Sequence, residues 1–402
     1  MTTTSTPSST TKAQTVSDDA LRLIDVDHVR FYVGNAKQAA HFYAYTFGFK
    51  LDQIADLTTG SRDEANYLLT QGNIRFILTS GLSLDHEAHD HVKRYGDGVR
   101  SIAFTVDDAE AAFNQAVKNG AEAENEPTTI SNNDGSITTS AIKIYGRVIH
   151  TFVSRSGKYS LENVRKGGLI SPAFAKVENY ALNDYNQQNP CGLKYLDHCV
   201  GNVELGKMDY WVSWYENVLG FKLFKHFDDD DISTEYSALM SKVMDSGYGV
   251  IKFPINEPAP GKKKSQIQEY LDWHDNTAGV QHLAMRTNDE LSSVTELNRR
   301  GVDFLYVPKE YYNEVWDRVN KMLKENGHDA VKEDHEKIKE LGILVDADDE
   351  GYLLQLFTKP LQDRPTLFFE IICRRGSQSF GKGNFKALFE SLEQEQERRG
   401  NL

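Results

Sequence analysis

At 402 residues, with 39% hydrophobic and 26% charged side chains, the chain has material for two folded units of ordinary size. A net charge of −14 argues against nucleic acid or an anionic membrane surface as partner, because such binding rests on clustered Lys and Arg. No long apolar run suggests a membrane span, and three cysteines without paired spacing and no signal-peptide pattern fit a reducing cytoplasm.

Residues 1–20, rich in Ser and Thr with one lysine and no arginine, are expected to form a disordered tail. Residues 21–157 are expected to form a first domain. There "VDHVRFYV" at 26–33 is a strand carrying an Asp-His pair, and a helical stretch with aromatics on one side leads to "FGFKL" at 47–51. "DHEAHDH" at 85–91 has a metal-like composition, but its charged neighbours predict a solvated helix or loop face. "GVRSIAFTVDD" from 98 predicts a strand entering a helix capped by Asp107 or Asp108 and closed by Gly120, and "GRVIHTFVSR" at 146–155 supplies the last strand.

Residues 158–190, polar and carrying Gly167, Gly168, Pro172 and Pro190, read as a linker. The pattern then recurs over 191–380. "LDHCVGNV" at 196–203 matches the first strand, "LGFKL" at 219–223 matches "FGFKL", and "GVQHLAMRTND" from 279 matches "GVRSIAFTVDD", with Asn288 or Asp289 as cap. Ser101 to Gly120 and His282 to Gly301 both span 19 residues, so this part aligns without a gap. A charged, helical insertion is expected around 308–341, and "RPTLFFEIICR" closes the copy. Residues 381–402 predict a terminal helix with Phe385, Leu388, Phe389 and Leu392 on one face. The fold class is therefore α+β, with strands dominant in both domains.

Three polar residues of the second copy's strands, His198, His282 and Glu370, can cover one face of an octahedral metal and leave the opposite positions open, which suits non-haem Fe(II). Glu370 sits in "LFFEIIC", where an unpaired carboxylate is costly; the plainer alternative is an ion pair with Arg374 or Arg375. The first copy has Ser101 and Thr151 at the matching positions and keeps only His28, so one copy can hold a metal and the other cannot. Aligning His150 with Glu370 needs a one-residue shift that would turn it to the other face.

"LDHCVGNV", "FPINEP", "KSQIQEYL", "GVQHLAMRTND", "ELGILVDADDEGYLLQLFTKP", "RPTLFFEII" and "SFGKGNFKALFE" closely resemble the 4-hydroxyphenylpyruvate dioxygenases, over about residues 20–402. The resemblance implies two vicinal-oxygen-chelate type domains built from repeated βαβββ units with curved mixed sheets, plus a C-terminal lid helix. It implies one Fe(II) per chain on His198, His282 and Glu370. It also implies conversion of 4-hydroxyphenylpyruvate and O2 to homogentisate and CO2, in a homodimer or homotetramer. Catalytic roles fall to Ser241, Asn256, Gln266, Gln355 and Phe357. Pro254, Gln281, Leu344, Phe368, Phe380, Asn384, Phe385 and Phe389 would contact substrate.

Strand alternation places Gln355 and Phe357 on one face but turns Gln281 away from His282 and the pocket. The alternatives are a 4-hydroxymandelate synthase, disfavoured by Phe357, an extradiol-type dioxygenase, and a binding module of the same fold without catalysis.

Overall fold

The computed structural model describes residues 21–227, 238–247, 251–259 and 261–400; the expected N-terminal tail lies outside them. The first half runs β1 (Asp25–Tyr32), α1 (Ala36–Phe47), β2 (Lys50–Ala55), β3 (Glu64–Gln71), β4 (Ile74–Gly81), α2 (Glu87–Tyr95), β5 (Gly98–Thr105), α3 (Ala109–Lys118), β6 (Ala123–Asn132), β7 (Gly135–Lys143) and β8 (Ile149–Arg155). A connector follows with α4 (Leu161–Arg165), β9 (Ala175–Lys176) and α5 (Ala181–Gln188). The second half runs β10 (Leu193–Asn202), α6 (Met208–Leu219), β11 (Lys222–Phe227), β12 (Ala238–Asp245), β13 (Lys252–Ala259), α7 (Gln266–Trp273), β14 (Gly279–Thr287), α8 (Glu290–Arg299), α9 (Tyr311–Glu325), α10 (His335–Leu341), β15 (Leu344–Asp348), β16 (Gly351–Phe357), β17 (Phe368–Arg375) and α11 (Phe385–Arg398).

The two sheets have one topology. The second is ordered β11-β12-β13-β10-β14-β17-β16-β15; the first is β2-β3-β4-β1-β5-β8-β7-β6, with β9 added beside β2. Each half is therefore two βαβββ units, and the parallel pairs β1/β4, β5/β8, β10/β13 and β14/β17 lie at matching places. The connector is thus no plain loop: β9 extends the first sheet, and Asn186 of α5 donates to the carbonyls of Ala44 and Phe49.

Local chemistry explains the helix entries. Asp108 accepts from the backbone N–H groups of Glu110 and Ala111, and Asp289 from that of Ser292, satisfying donors that the helix starts leave free. The insertion forms α9 and α10, and α9 turns Tyr312, Val315, Val319 and Leu323 inward at helical spacing. The halves share one core. Phe369, fully buried, lies 5.0 Å from Phe47 and 5.8 Å from Phe76 by ring centroids; burying such a side chain stabilises by roughly 1.5–3 kcal/mol.

The histidine-rich stretch departs from its expected solvated face. It forms α2, but His91 is buried against Tyr32 and Tyr95, because the helix is amphipathic and lies on the sheet. No helix among the described residues is long and apolar enough to cross a membrane.

Candidate metal centre and its cavity

Three adjacent strands bring the site together. In the β10/β14 register His282 lies opposite Val200 and His198 opposite Ala284, while β17 sets Glu370 beside Ala284. Glu370 Oε2 is 2.9 Å from His198 Nε2 and 3.3 Å from His282 Nε2. Two ligands about 2.1 Å from a common ion at right angles to it lie ~3 Å apart, so the spacing fits neighbouring positions on one metal. All three are buried, and their ligand atoms lie within 4.8 Å of one another, the sole such group of three among the described residues. Donor set and geometry fit a divalent ion.

The remaining ring nitrogens are also engaged. His198 Nδ1 donates to Asp197 at 2.9 Å, and Asp197 is gripped at 2.8 and 2.7 Å by Arg374. His282 Nδ1 donates to Gln281 Oε1 at 2.8 Å. Both rings therefore turn Nε2 toward Glu370, the arrangement in which a supporting partner fixes tautomer and orientation. Arg374 and Arg375 pair with Asp197 and Glu333, so the plain ion-pair explanation of Glu370 does not hold.

Electrostatics follow from this packing. Burial alone would raise the Glu370 carboxyl, but His198 and His282 hold it down at about 2. Burial pulls His198 down, yet Glu370 and Asp197 outweigh it and its pKa rises. For His282 burial wins over Glu370 and the ring stays below its ordinary value. The site is built to keep a carboxylate charged in an apolar setting.

A cavity opens over these residues. His198, His282 and Glu370 sit in its wall with the expected Ser241, Pro254, Asn256, Gln266, Phe357, Phe368, Phe380, Phe385 and Phe389. Phe368 stacks on His282 at 4.8 Å, and Phe357 meets the same ring edge-on at 5.9 Å.

Gln281 also lines the cavity, against the expectation from alternation. The reason is a bulge: Val200 pairs with His282 and Gly201 with Val280, leaving Gln281 as the extra residue whose side is no longer set by parity. Its Nε2 donates to Gln266 Oε1 at 2.9 Å, so His282, Gln281 and Gln266 form a chain of side chains.

Three expected contacts lie outside the cavity wall. Gln355 shares Phe357's face but sits two residues along, beneath Gly381. Leu344 is its buried partner across the strand, and Asn384 is buried with Oδ1 accepting from Tyr311 at 2.6 Å. Alternation gives a face but not a depth along the strand. Conversely Val200, Phe227, Leu239, Val243, Leu388 and Leu392 line the cavity without having been singled out as contacts. Leu239 and Val243 share parity with Ser241, and Leu388 and Leu392 lie on the predicted helical face, so period alone carries a signal for them.

The first half shows what the fold requires without the metal. Asp27 takes His28 Nδ1 at 2.7 Å and is gripped by Arg155 at 2.8 Å through both oxygens. The register sets Thr151 beside Ala103 as Glu370 is set beside Ala284, and Ser101 Oγ meets Thr151 Oγ1 at 2.7 Å where the second half has metal-ligand chemistry. His150 points elsewhere, with Nδ1 donating to the Ile102 carbonyl and Nε2 meeting the Tyr215 hydroxyl.

Comparison with known proteins agrees with this geometry. Residues 25–142 and 195–356 match the Glyoxalase/Bleomycin resistance protein/Dioxygenase superfamily. The 4-hydroxyphenylpyruvate dioxygenase of Coccidioides posadasii is 45% identical, covering 94% of each chain. That of Dictyostelium discoideum is 44% identical, covering 94% of this chain and 99% of its own. Among solved structures, a mutant 4-hydroxymandelate synthase from Streptomyces coelicolor superposes with a TM-score of 0.77 at 28% identity, covering 93% of this chain and 99% of the other. The chain is an enzyme with a buried site of two histidines and a glutamate suited to a metal, and it belongs to the 4-hydroxyphenylpyruvate dioxygenase family.

Proposed function

We propose that this chain converts 4-hydroxyphenylpyruvate and O2 to homogentisate and CO2, with Fe(II) held by His198, His282 and Glu370. The observation that carries the reading is the buried trio at 2.9 and 3.3 Å on the wall of a cavity whose remaining lining is mainly aromatic and aliphatic, with Ser241, Asn256, Gln266 and Gln281 as its polar groups. When bound, Fe(II) supplies open positions for the oxo acid and O2 and the electrons that activate O2.

The chain's own residues do the rest. Asp197 and Gln281 fix the two imidazoles, and Glu370 lowers the net charge of the centre. His282 needs its Nδ1 proton for Gln281 Oε1, which directs Gln281 Nε2 to Gln266 Oε1 and leaves the Gln266 amide N–H groups as donors for the substrate's phenolic oxygen. Asn256 and Ser241 add further polar groups, and Phe357 and Phe385 provide faces for the aromatic ring. Phe380, Phe389 and Leu392 close the apolar wall and exclude water from the reacting atoms. Gln355, Leu344 and Asn384 support this wall from behind.

A cytoplasmic enzyme assembled as a homodimer or homotetramer completes the proposal. Oxygen uptake by Fe(II)-loaded protein supplied with 4-hydroxyphenylpyruvate, with the product identified by NMR and mass spectrometry, tests it. Homogentisate is expected; absence of uptake, or 4-hydroxymandelate as product, would overturn it.

A further inference from the structure

The segment that follows β17 crosses the metal site before entering α11. Phe380 within it lies edge-on to His198 at 5.0 Å and lines the cavity. Most of its anchors are ordinary. Asp348 accepts from the backbone N–H groups of Gln378 and Ser379, Asp346 from that of Gly383, and Arg374 donates to the Ser379 carbonyl at 2.5 Å.

A further anchor acts on ring faces, where Arg374 also stands with its guanidinium carbon 5.6 Å from the Phe380 centre. Lys252, the β13 partner of His198 in the register, places Nζ 4.4 Å from the Phe224 ring centre and 5.7 Å from that of Phe380, and donates to Gln378 Oε1 at 3.2 Å. The two rings lie 6.4 Å apart. A cation over ring faces is attracted by their negative quadrupole, more strongly when partly desolvated. Lys225 also approaches Phe224, with Nζ 5.7 Å from the ring centre.

The first half supplies the contrast. The β1/β4 register pairs Val29 with Phe76, so Arg75 stands at the place of Lys252. Arg75 spends its donors on the neighbouring strand β1, on the carbonyls of Val26 and Asp27 and on the Asp25 carboxylate. The same sheet position carries a cation in both halves, and only beside the metal site does that cation face outward to the crossing segment.

We propose that Lys252 is a positioning residue: its ammonium clasps Phe224 and Phe380 and thereby keeps residues 376–384 closed over His198. The effect on substrate rests on the cavity's being the oxo-acid site. The test compares the metal-loaded full chain with Lys252→Met, Lys252→Arg and Phe224→Leu. Hydrogen exchange of residues 377–384 is expected to quicken about tenfold in Lys252→Met and Phe224→Leu and to return close to wild type in Lys252→Arg. The KM for 4-hydroxyphenylpyruvate should rise by about the same factor, with kcat changed by less than about threefold and bound metal unchanged.

Wild-type exchange and KM in Lys252→Met would overturn the proposal. So would loss of metal in that variant, which would make Lys252 a support of the ligand strand, or failure of Lys252→Arg to restore exchange. Exchange is read without substrate, so a wild type inactive on the oxo acid would overturn the proposed function and leave the test of Lys252 standing.

Discussion

The two halves of this chain carry the same strand order, the same bulge beside the same position and the same Asp-His-Arg cluster, yet one builds a metal site and the other a hydroxyl pair. The shared features therefore belong to the fold. Asp27 with Arg155 shows that a buried carboxylate gripping a histidine is a structural device that needs no metal. What differs is Ser101 against His282 and Thr151 against Glu370, and these two exchanges carry the chemistry. The crossing segment after β17, which sets Phe380 on the cavity wall, and the α9–α10 insertion have no counterpart in the first half.

The comparison is broken most severely by giving the second half the first half's residue. Glu370→Thr should lower turnover more than about 100-fold, beyond the usual cost of losing a partner of a ligand, while circular dichroism stays native because Thr151 occupies that place in the first half. Gln281→Ala removes such a partner and should weaken metal affinity about 10- to 100-fold in a chelator competition.

Next comes a separation of roles. Asp27→Asn should cost about 3–5 kcal/mol in denaturant unfolding, as expected for a buried pair stripped of one charge, and leave metal affinity intact. Burial alone would raise the Asp27 carboxyl, but Arg155 and His28 hold it well below the ordinary range. Its stabilising contribution is thus complete above the unfolded value near ~4 and lost as pH falls through the lower folded value, so the gap between variant and wild type should shrink below about pH 4.

The smallest expected effect concerns Glu290, which stands where the first half has Ala109 and whose buried carboxyl makes no hydrogen bond to any of the described residues. Burial, with Glu370, Asp289 and Glu333 nearby, raises it well above the ordinary carboxylate range. The folded state then binds the extra proton and stability falls as pH rises. Glu290→Gln should raise Tm by about 2 °C at pH 7 to 8 and change it little near pH 4.

Much of this was legible in the sequence. Internal repetition pairs His282 with Ser101, and a carboxylate inside "LFFEIIC" marks Glu370. Gln281 escapes the alternation rule because a bulge interrupts the pleat, and a bulge is a property of pairing between strands rather than of either strand's own residues. Gln355, Leu344 and Asn384 lie behind the cavity wall, since depth along a strand depends on sheet curvature and on where the crossing segment lies. His91 was hidden by charged neighbours on an amphipathic helix.

The central claim is that one half binds metal through a trio whose middle member the fold does not require. It is tested most directly by the metal content of folded wild type and His282→Ser after Fe(II) loading and desalting. The account predicts one ion per chain in the wild type and less than about a tenth of that in His282→Ser, with an unchanged unfolding midpoint for the apo proteins. A folded His282→Ser that retains one ion per chain would contradict it.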